Sequence, residues 1–113
     1  MLITDAMQAA GMPDGGYTLC GESVEMQGGV VRTASGGLAG STLALDAAVR
    51  NMVEHTGVAP EQAIHMASLH PARLLGMDHL LGSLAPGKRA NIIALDAGLH
   101  LRQIWIQGQA LSL

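Results

Sequence analysis

The chain has 113 residues, of which 49% are hydrophobic and only 13% are charged, with a net charge of −3. Because the basic residues are scattered and the only aromatics are Tyr17 and Trp105, the composition argues against nucleic-acid binding. No apolar run approaches the ~20 residues that cross a bilayer and no signal-peptide pattern opens the chain, so we expect no membrane partner and a cytoplasmic location.

The first predicted element is a buried strand at residues 1–4, whose carboxyl end carries Asp5. In barrels of parallel strands, that edge of the sheet holds the catalytic groups. A general base needs a carboxylate held rigidly beside a cavity, so Asp5 is the candidate catalytic residue. The alternative is that Asp5 only caps a helix or pairs with a surface base.

The predicted strand lies at the start of the sequence, and this position leads to a second prediction. An apolar strand of this kind needs paired neighbours and helices on both faces, and no sequence precedes residue 1 to supply them. We therefore expect the chain to be the tail of something larger. The surplus of apolar residues should be covered by missing parts of the same polypeptide or by a second subunit, so we also expect a homo-oligomer.

The next part of the chain favours an antiparallel ribbon followed by a flexible loop. Short β segments at 17–19, 24–26 and 30–32 are separated by Gly21 and by Gly28-Gly29, a hairpin signal. The glycine-rich loop 35–40 then leads to a helix, which Ser41 or Thr42 is expected to cap. Such a loop can bind the hydroxyls or carbonyl of a polar ligand with its backbone, or it can be an ordinary linker.

Helices and a β tail complete the predicted elements. Apolar residues at three- and four-residue spacing predict a helix over residues 45–53 that Gly57 ends. Pro60 starts a second helix, and Pro71 stops that helix and starts a short third one ended by Gly76. Strands are predicted at 90–95, 103–106 and 110–111. A boundary near 76–82 predicts two parts, residues 1–80 and 81–113.

The five histidines do not follow any metal-ligand spacing. They lack an HxxxH or HxH pair, so each is expected to be a surface or capping residue and no metal ligand is expected in this chain. His70, directly before Pro71, is predicted to lie at a helix end and complement its negative dipole. The histidines are His55, His65, His70, His79 and His100.

Four segments together resemble the carboxyl-terminal third of the N-acetylglucosamine-6-phosphate deacetylases of the amidohydrolase superfamily. The last segment is of a kind shared widely among amidohydrolases. A T-D-A strand end followed about thirty residues later by L-A-G-S-T-L is similar to the sugar-phosphate deacetylase branch in particular. The segments are LITDA at 2–6, LAGSTL at 38–43, ASLHPA at 67–72 and GSLAPGKRAN at 82–91.

This resemblance implies an α/β fold, namely a carboxyl-terminal fragment of a (β/α)8 metal-dependent hydrolase barrel. Residues 1–80 would be the last barrel strand, the ribbon and the helices, and residues 81–113 would be tail strands of a small β-sandwich. Asp5 matches the family's acid at the end of the last barrel strand, which passes a proton from the attacking water to the leaving amine. Leu38, Ala39 and Gly40 match the loop that contacts the sugar.

The resemblance also implies a reaction, the hydrolysis of N-acetylglucosamine 6-phosphate to glucosamine 6-phosphate and acetate. The small-molecule partner is then an amino-sugar phosphate, and the cofactor of the full-length enzyme is a divalent metal, zinc or iron. The family's metal ligands, a glutamate and two histidines, lie on earlier strands, and the histidines here do not align with them. We therefore expect the isolated chain to be inactive, because catalytic groups that act as a unit contribute little when separated.

Two alternatives remain at this stage. The parent protein could be another amidohydrolase, dihydroorotase-like or deaminase-like, which would share the β tail without the sugar loop. The chain could also be a non-catalytic module that associates with itself through its apolar face.

Overall fold

The computed structural model describes residues 1–112. These residues form a small α/β structure with two three-stranded antiparallel sheets and three helices. The chain divides into two compact units, residues 3–45 on one side and residues 1–2 with the chain from Asp46 onward on the other. None of the helices in the described residues is long and apolar enough to span a membrane.

The first unit is built around the predicted ribbon. Its strands are β1 (Gly15–Leu19), β2 (Glu22–Gln27) and β3 (Val30–Thr33), paired antiparallel in the order β1-β2-β3. Gly28 and Gly29 connect β2 to β3 with φ values of 57° and 77°, the left-handed geometry that a two-residue hairpin turn requires. The prediction of a ribbon with a glycine hairpin turn is therefore confirmed.

Buried and exposed side chains alternate along β2 and β3, and the buried ones give this unit an apolar core of its own. Val24 and Met26 on β2 and Val31 on β3 are buried, while their sequence neighbours on β2 and β3 are exposed. Met7, Ala9 and Ala39 complete the same apolar cluster from outside the ribbon. The segments before and after the ribbon are thus packed against its inner face.

The predicted buried strand at residues 1–4 is not formed. Residues 1–5 lie outside any strand, and the side chains of Met1 and Ile3 are 59% and 70% exposed. Among residues 1–112, the only strand-like pairing near this segment is a single parallel bridge between Ala6 and Ser41. An apolar pattern favours a strand only where a neighbouring strand satisfies its backbone, and none in residues 1–112 lies beside this segment.

The first helix, α1 (Leu45–Thr56), confirms the helical spacing but not the predicted cap. Ala48 and Val49 are buried, and Gly57 ends the helix with φ 71°. The Ser41 hydroxyl accepts the Leu43 N–H at 2.8 Å, in a turn that precedes the helix. Thr42 instead donates its hydroxyl to the Gly29 carbonyl at 2.7 Å. Neither hydroxyl therefore caps the helix, which begins only at Leu45.

The other two helices are α2 (Pro60–Ala67) and α3 (Leu69–Leu74). Pro60 starts α2 as predicted, but α3 begins two residues before Pro71. A proline is tolerated in the first turn of a helix, where its missing N–H has no partner to lose. His70 consequently lies in the first turn of α3, so its predicted place at the end of a helix is wrong.

The second sheet contains the predicted tail strands, β4 (Ile92–Leu95), β5 (Leu101–Ile106) and β6 (Gln109–Leu111), in the order β4-β5-β6. Asp96 organises the turn between β4 and β5. Its Oδ1 accepts the N–H groups of Gly98 and His100, both at 2.9 Å. Its Oδ2 accepts two hydrogen bonds from the Arg102 guanidinium, at 2.9 and 2.6 Å. A single carboxylate thus links the turn to β5.

This arrangement predicts an acid-sensitive turn. The N–H of His100, followed by the Arg102 guanidinium, lowers the pKa of Asp96 from 3.8 to about 2. A lowered folded-state pKa means that the stabilisation is complete above pH 3.8 and is lost as the pH falls toward 2. We expect Asp96→Asn to remove this loss, measured by urea unfolding across that pH window. Glu25→Gln, at an exposed position of β2, is the control, and an unchanged pH slope in Asp96→Asn would contradict the assignment.

Candidate active site

Asp5 is held by its backbone beside the glycine-rich loop. Its carbonyl accepts the N–H of Ser41 at 2.8 Å, and the Ser41 carbonyl accepts the N–H of Met7 at 2.8 Å. These two hydrogen bonds make the parallel bridge between Ala6 and Ser41. Asp5 has φ 52°, in the left-handed region that aspartate and asparagine enter more readily than other non-glycine residues. The bridge therefore fixes the residue next to Gly40.

Gly40 is required at this position for two physical reasons. Its φ of 80° lies in the left-handed region, where side chains are strained. A Cβ on Gly40 would also lie 3.3 Å from the Asp5 carbonyl oxygen and 3.4 Å from the Met7 Cβ. The loop can approach the Asp5 segment this closely only because the residue has no side chain.

We expect Gly40→Ala to lower the free energy of unfolding by about 2–4 kcal/mol, the sum of backbone strain and a tight contact. Gly36→Ala is the matched control, because Gly36 has φ 86° but a Cβ there would meet no atom within 4 Å. The loss of stability in Gly36→Ala should therefore reflect backbone strain without the tight contact. Urea unfolding of both variants measures the difference, and equal losses would mean that the close approach to Asp5 does not matter.

An open pocket of about 390 Å³ adjoins Asp5 and Gly40. This volume lies within the range of small-molecule sites, roughly 300–1,000 Å³. Gln8 lines the pocket and donates its side-chain amide to the carbonyl of Thr18 on β1. The hydrogen bond ties the segment after Asp5 to the ribbon. The polar lining side chains belong to Asp5, Gln8, Thr18 and Cys20.

The three predicted sugar-contacting residues are placed differently from one another. Gly40 lines the pocket with Asp5. Ala39 is buried in the ribbon core and donates its N–H to the Val31 carbonyl at 2.9 Å. Leu38 is 72% exposed. The structure therefore brings Asp5 and Gly40 together at one pocket, and the binding role of the three residues stays a prediction.

Sequence reasoning missed the contribution of the ribbon to this pocket. Thr18 and Cys20 reach it from the end of β1 and from the turn between β1 and β2. The pattern at Cys20-Gly21 indicates a turn, and both residues have positive φ, 51° and 87°. A local pattern does not tell which turn of the ribbon lies beside Asp5, because that depends on long-range packing.

The described part of the chain lacks a group of side chains that could coordinate a catalytic metal ion. Residues 1–112 contain no group of three or more His, Cys, Asp or Glu side chains that could hold a metal ion. Of the pocket residues, only Asp5 and Cys20 carry such donors. The residues described therefore do not fit a catalytic metal by themselves.

The match to a protein family spans nearly the whole chain. The model of the Amidohydrolase family matches residues 2–111, so the chain belongs to the amidohydrolase family. It is 79% identical over 112 residues to the N-acetylgalactosamine-6-phosphate deacetylase of Escherichia coli O157:H7, covering 99% of this chain and 30% of that protein. It is 51% identical over 108 residues to the N-acetylglucosamine-6-phosphate deacetylase of Vibrio furnissii, covering 96% and 27%.

A solved structure shows the same fold. The crystal structure of N-acetylglucosamine-6-phosphate deacetylase from Pasteurella multocida matches with a TM-score of 0.93 and 28% identity, covering 98% of this chain and 29% of that one. The chain thus spans less than a third of the length of these three relatives.

Proposed function

We propose that this chain is the carboxyl-terminal part of a metal-dependent hydrolase that removes the N-acetyl group from N-acetylglucosamine 6-phosphate or its galactosamine epimer. The observation that carries the proposal is the bridge that holds Asp5 against Gly40 at a ligand-sized pocket, in a chain 79% identical to a deacetylase. The products are the free amino-sugar 6-phosphate and acetate.

The galactosamine epimer is a specific second candidate for the substrate. The resemblance by motif favours N-acetylglucosamine 6-phosphate, and a relative at 51% identity carries that name. The relative at 79% identity is named for N-acetylgalactosamine 6-phosphate. The two sugars differ only in the orientation of one hydroxyl, so the same proton chemistry serves both.

In the longer protein, residues 1–4 become the last strand of the barrel and Asp5 emerges at its carboxyl end. Residues 1–80 then belong to the barrel and residues 81–113 to a β-sandwich. A divalent metal, zinc or iron, would be held by residues elsewhere in the longer protein and would supply Lewis-acid activation of water. The parent enzyme acts in the cytoplasm as a homo-oligomer.

Asp5 performs the proton transfers of this reaction. Its carboxylate takes a proton from the water that attacks the acetyl carbonyl and then delivers that proton to the leaving amine nitrogen. Both transfers need one carboxylate within hydrogen-bond reach of the water and of the nitrogen. Leu38, Ala39 and Gly40 position the sugar, and Gly40 lets the loop approach the acid closely.

A hybrid enzyme tests the proposal. The matched carboxyl-terminal region of the Escherichia coli O157:H7 relative is replaced by this chain, and release of acetate is measured with both acetylated sugar phosphates. We expect the hybrid enzyme to turn over and the isolated 113-residue chain to be inactive with zinc or iron added. Turnover by the isolated chain would overturn the expectation that its catalytic set is incomplete.

The same hybrid enzyme separates the alternatives. A dihydroorotase-like or deaminase-like parent predicts turnover of cyclic amides or aminopurines instead of acetylated sugar phosphates. A non-catalytic module predicts a folded hybrid enzyme without activity on any of these substrates, although the unmodified relative, assayed beside it, remains active. Either result would remove the deacetylase assignment.

A further inference from the structure

Two histidines that are separated in sequence lie side by side at the junction of α2 and α3. The ring centroids of His65 and His70 are 6.3 Å apart, and the ring planes are inclined by 47°. Both residues are exposed. Within residues 1–112, neither imidazole takes part in a hydrogen bond or an ion pair, so their nitrogens are open to an external ligand.

The break between the two helices creates this pair. In a continuous helix, residues five apart are rotated by about 140° around the axis and their side chains diverge. Here the helical path is interrupted at Ser68, which has φ −130° and ψ −69°. The change of direction brings the last turn of α2 and the first turn of α3 together, and the two imidazoles with them.

We propose that His65 and His70 form a two-histidine site for a divalent transition-metal ion, with water completing the coordination. Two rings that bind one ion through nitrogen, with bonds of about 2.0–2.1 Å, place their centroids roughly 4.5–5.5 Å apart when the nitrogens are neighbours around the ion and about 6.5 Å apart when they are opposite. The observed separation of 6.3 Å therefore fits nitrogens on nearly opposite sides of the ion. Square-planar or tetragonal Cu²⁺ and Ni²⁺ suit this arrangement, and Cu²⁺ should bind the more tightly of the two. The inference goes beyond the proposed function and does not depend on it.

Nearby charges are balanced around this histidine pair. Glu61 lies four residues before His65, on the same side of α2, and adds negative potential. Arg73 lies three residues after His70 on α3 and opposes it. The imidazoles must be neutral to bind a metal, so protons compete with the ion and acid should weaken binding.

The test measures metal affinity and its location in the 113-residue chain. Ni²⁺ binding is followed by calorimetry in the wild-type chain and in His65→Ala and His70→Ala. We expect each variant to bind at least about tenfold more weakly, because the second ligand no longer acts at high effective concentration. Broadening of amide NMR signals by Cu²⁺ should centre on residues 64–71.

His55→Ala is the matched control, because His55 also lies exposed in the last turn of its helix but, within residues 1–112, has no second histidine ring beside it. It should leave the affinity unchanged, as should Cys20→Ser, which removes the one thiol. In concentrated urea, the wild-type chain should bind no better than His65→Ala. Equal affinity of the wild-type chain and both single variants, or broadening centred elsewhere, would overturn the proposal.

Discussion

Among the glycines of residues 1–112, replacement by alanine should be most destabilising at Gly82. A Cβ on Gly82 would lie 2.8 Å from the Ala72 Cβ, 3.0 Å from the Leu69 Cα and 3.1 Å from the Ser68 carbonyl oxygen. Two of these atoms belong to the backbone and cannot rotate away. Overpacking and backbone strain at φ 85° together cost about 2–6 kcal/mol, a large share of the stability of a small domain.

Thermal unfolding followed by circular dichroism measures this effect, with Gly87→Ala as the control. Gly87 has φ 87°, almost the same as Gly82, but a Cβ there would meet no atom within 4 Å. Gly87→Ala therefore shows the strain without the collision. If the two variants unfolded at the same temperature, the packing of Gly82 against the helices would be irrelevant to stability.

The second prediction is a large loss of kcat for Asp5→Asn in the hybrid enzyme. Loss of a general base that also protonates the leaving group lowers kcat by about 10²–10⁴. Asparagine has nearly the same shape and enters the left-handed region as readily as aspartate, so φ 52° at this position should be preserved. A lower kcat would then result from the missing proton acceptor and not from a change in backbone conformation.

The measurement is kcat and KM for both acetylated sugar phosphates. We expect KM to change little, because under the proposed mechanism Asp5 acts in the transition state and its substitution leaves the pocket in place. Asp14→Asn is the control, because the Asp14 carboxylate accepts the Gly28 N–H at 2.9 Å and does not line the pocket. A kcat within a few-fold of the starting hybrid enzyme would remove Asp5 from the mechanism.

Local rules predicted most elements of the fold. The Gly28-Gly29 turn, the helix ended by Gly57 and the helix started by Pro60 are each set by the dihedral preferences of one or two residues. The strand at residues 1–4 and the cap at Ser41 depended on neighbours that the pattern does not contain. Their outcomes were decided by backbone pairing, which the sequence of a segment alone does not specify.

The residues of the candidate site also divide into those that local sequence signals predicted and those that they did not. Asp5 and Gly40 could be selected from the sequence, since a carboxylate after an apolar run and a glycine loop before a helix are local signals. Gln8, Thr18 and Cys20 could not, because their place at the pocket results from the packing of the ribbon on the segment after Asp5. Their polarity alone does not separate them from the other exposed side chains.

The bridge between Ala6 and Ser41 joins the two ends of a long segment of the chain. This segment, residues 7–40, begins and ends at the bridge and contains its own apolar cluster. The tip at Gly28-Gly29 is held by a hydrogen bond from the Thr42 hydroxyl, whereas the two backbone hydrogen bonds of the bridge do not involve it. Changes of length at this tip should therefore leave the bridge at the base intact.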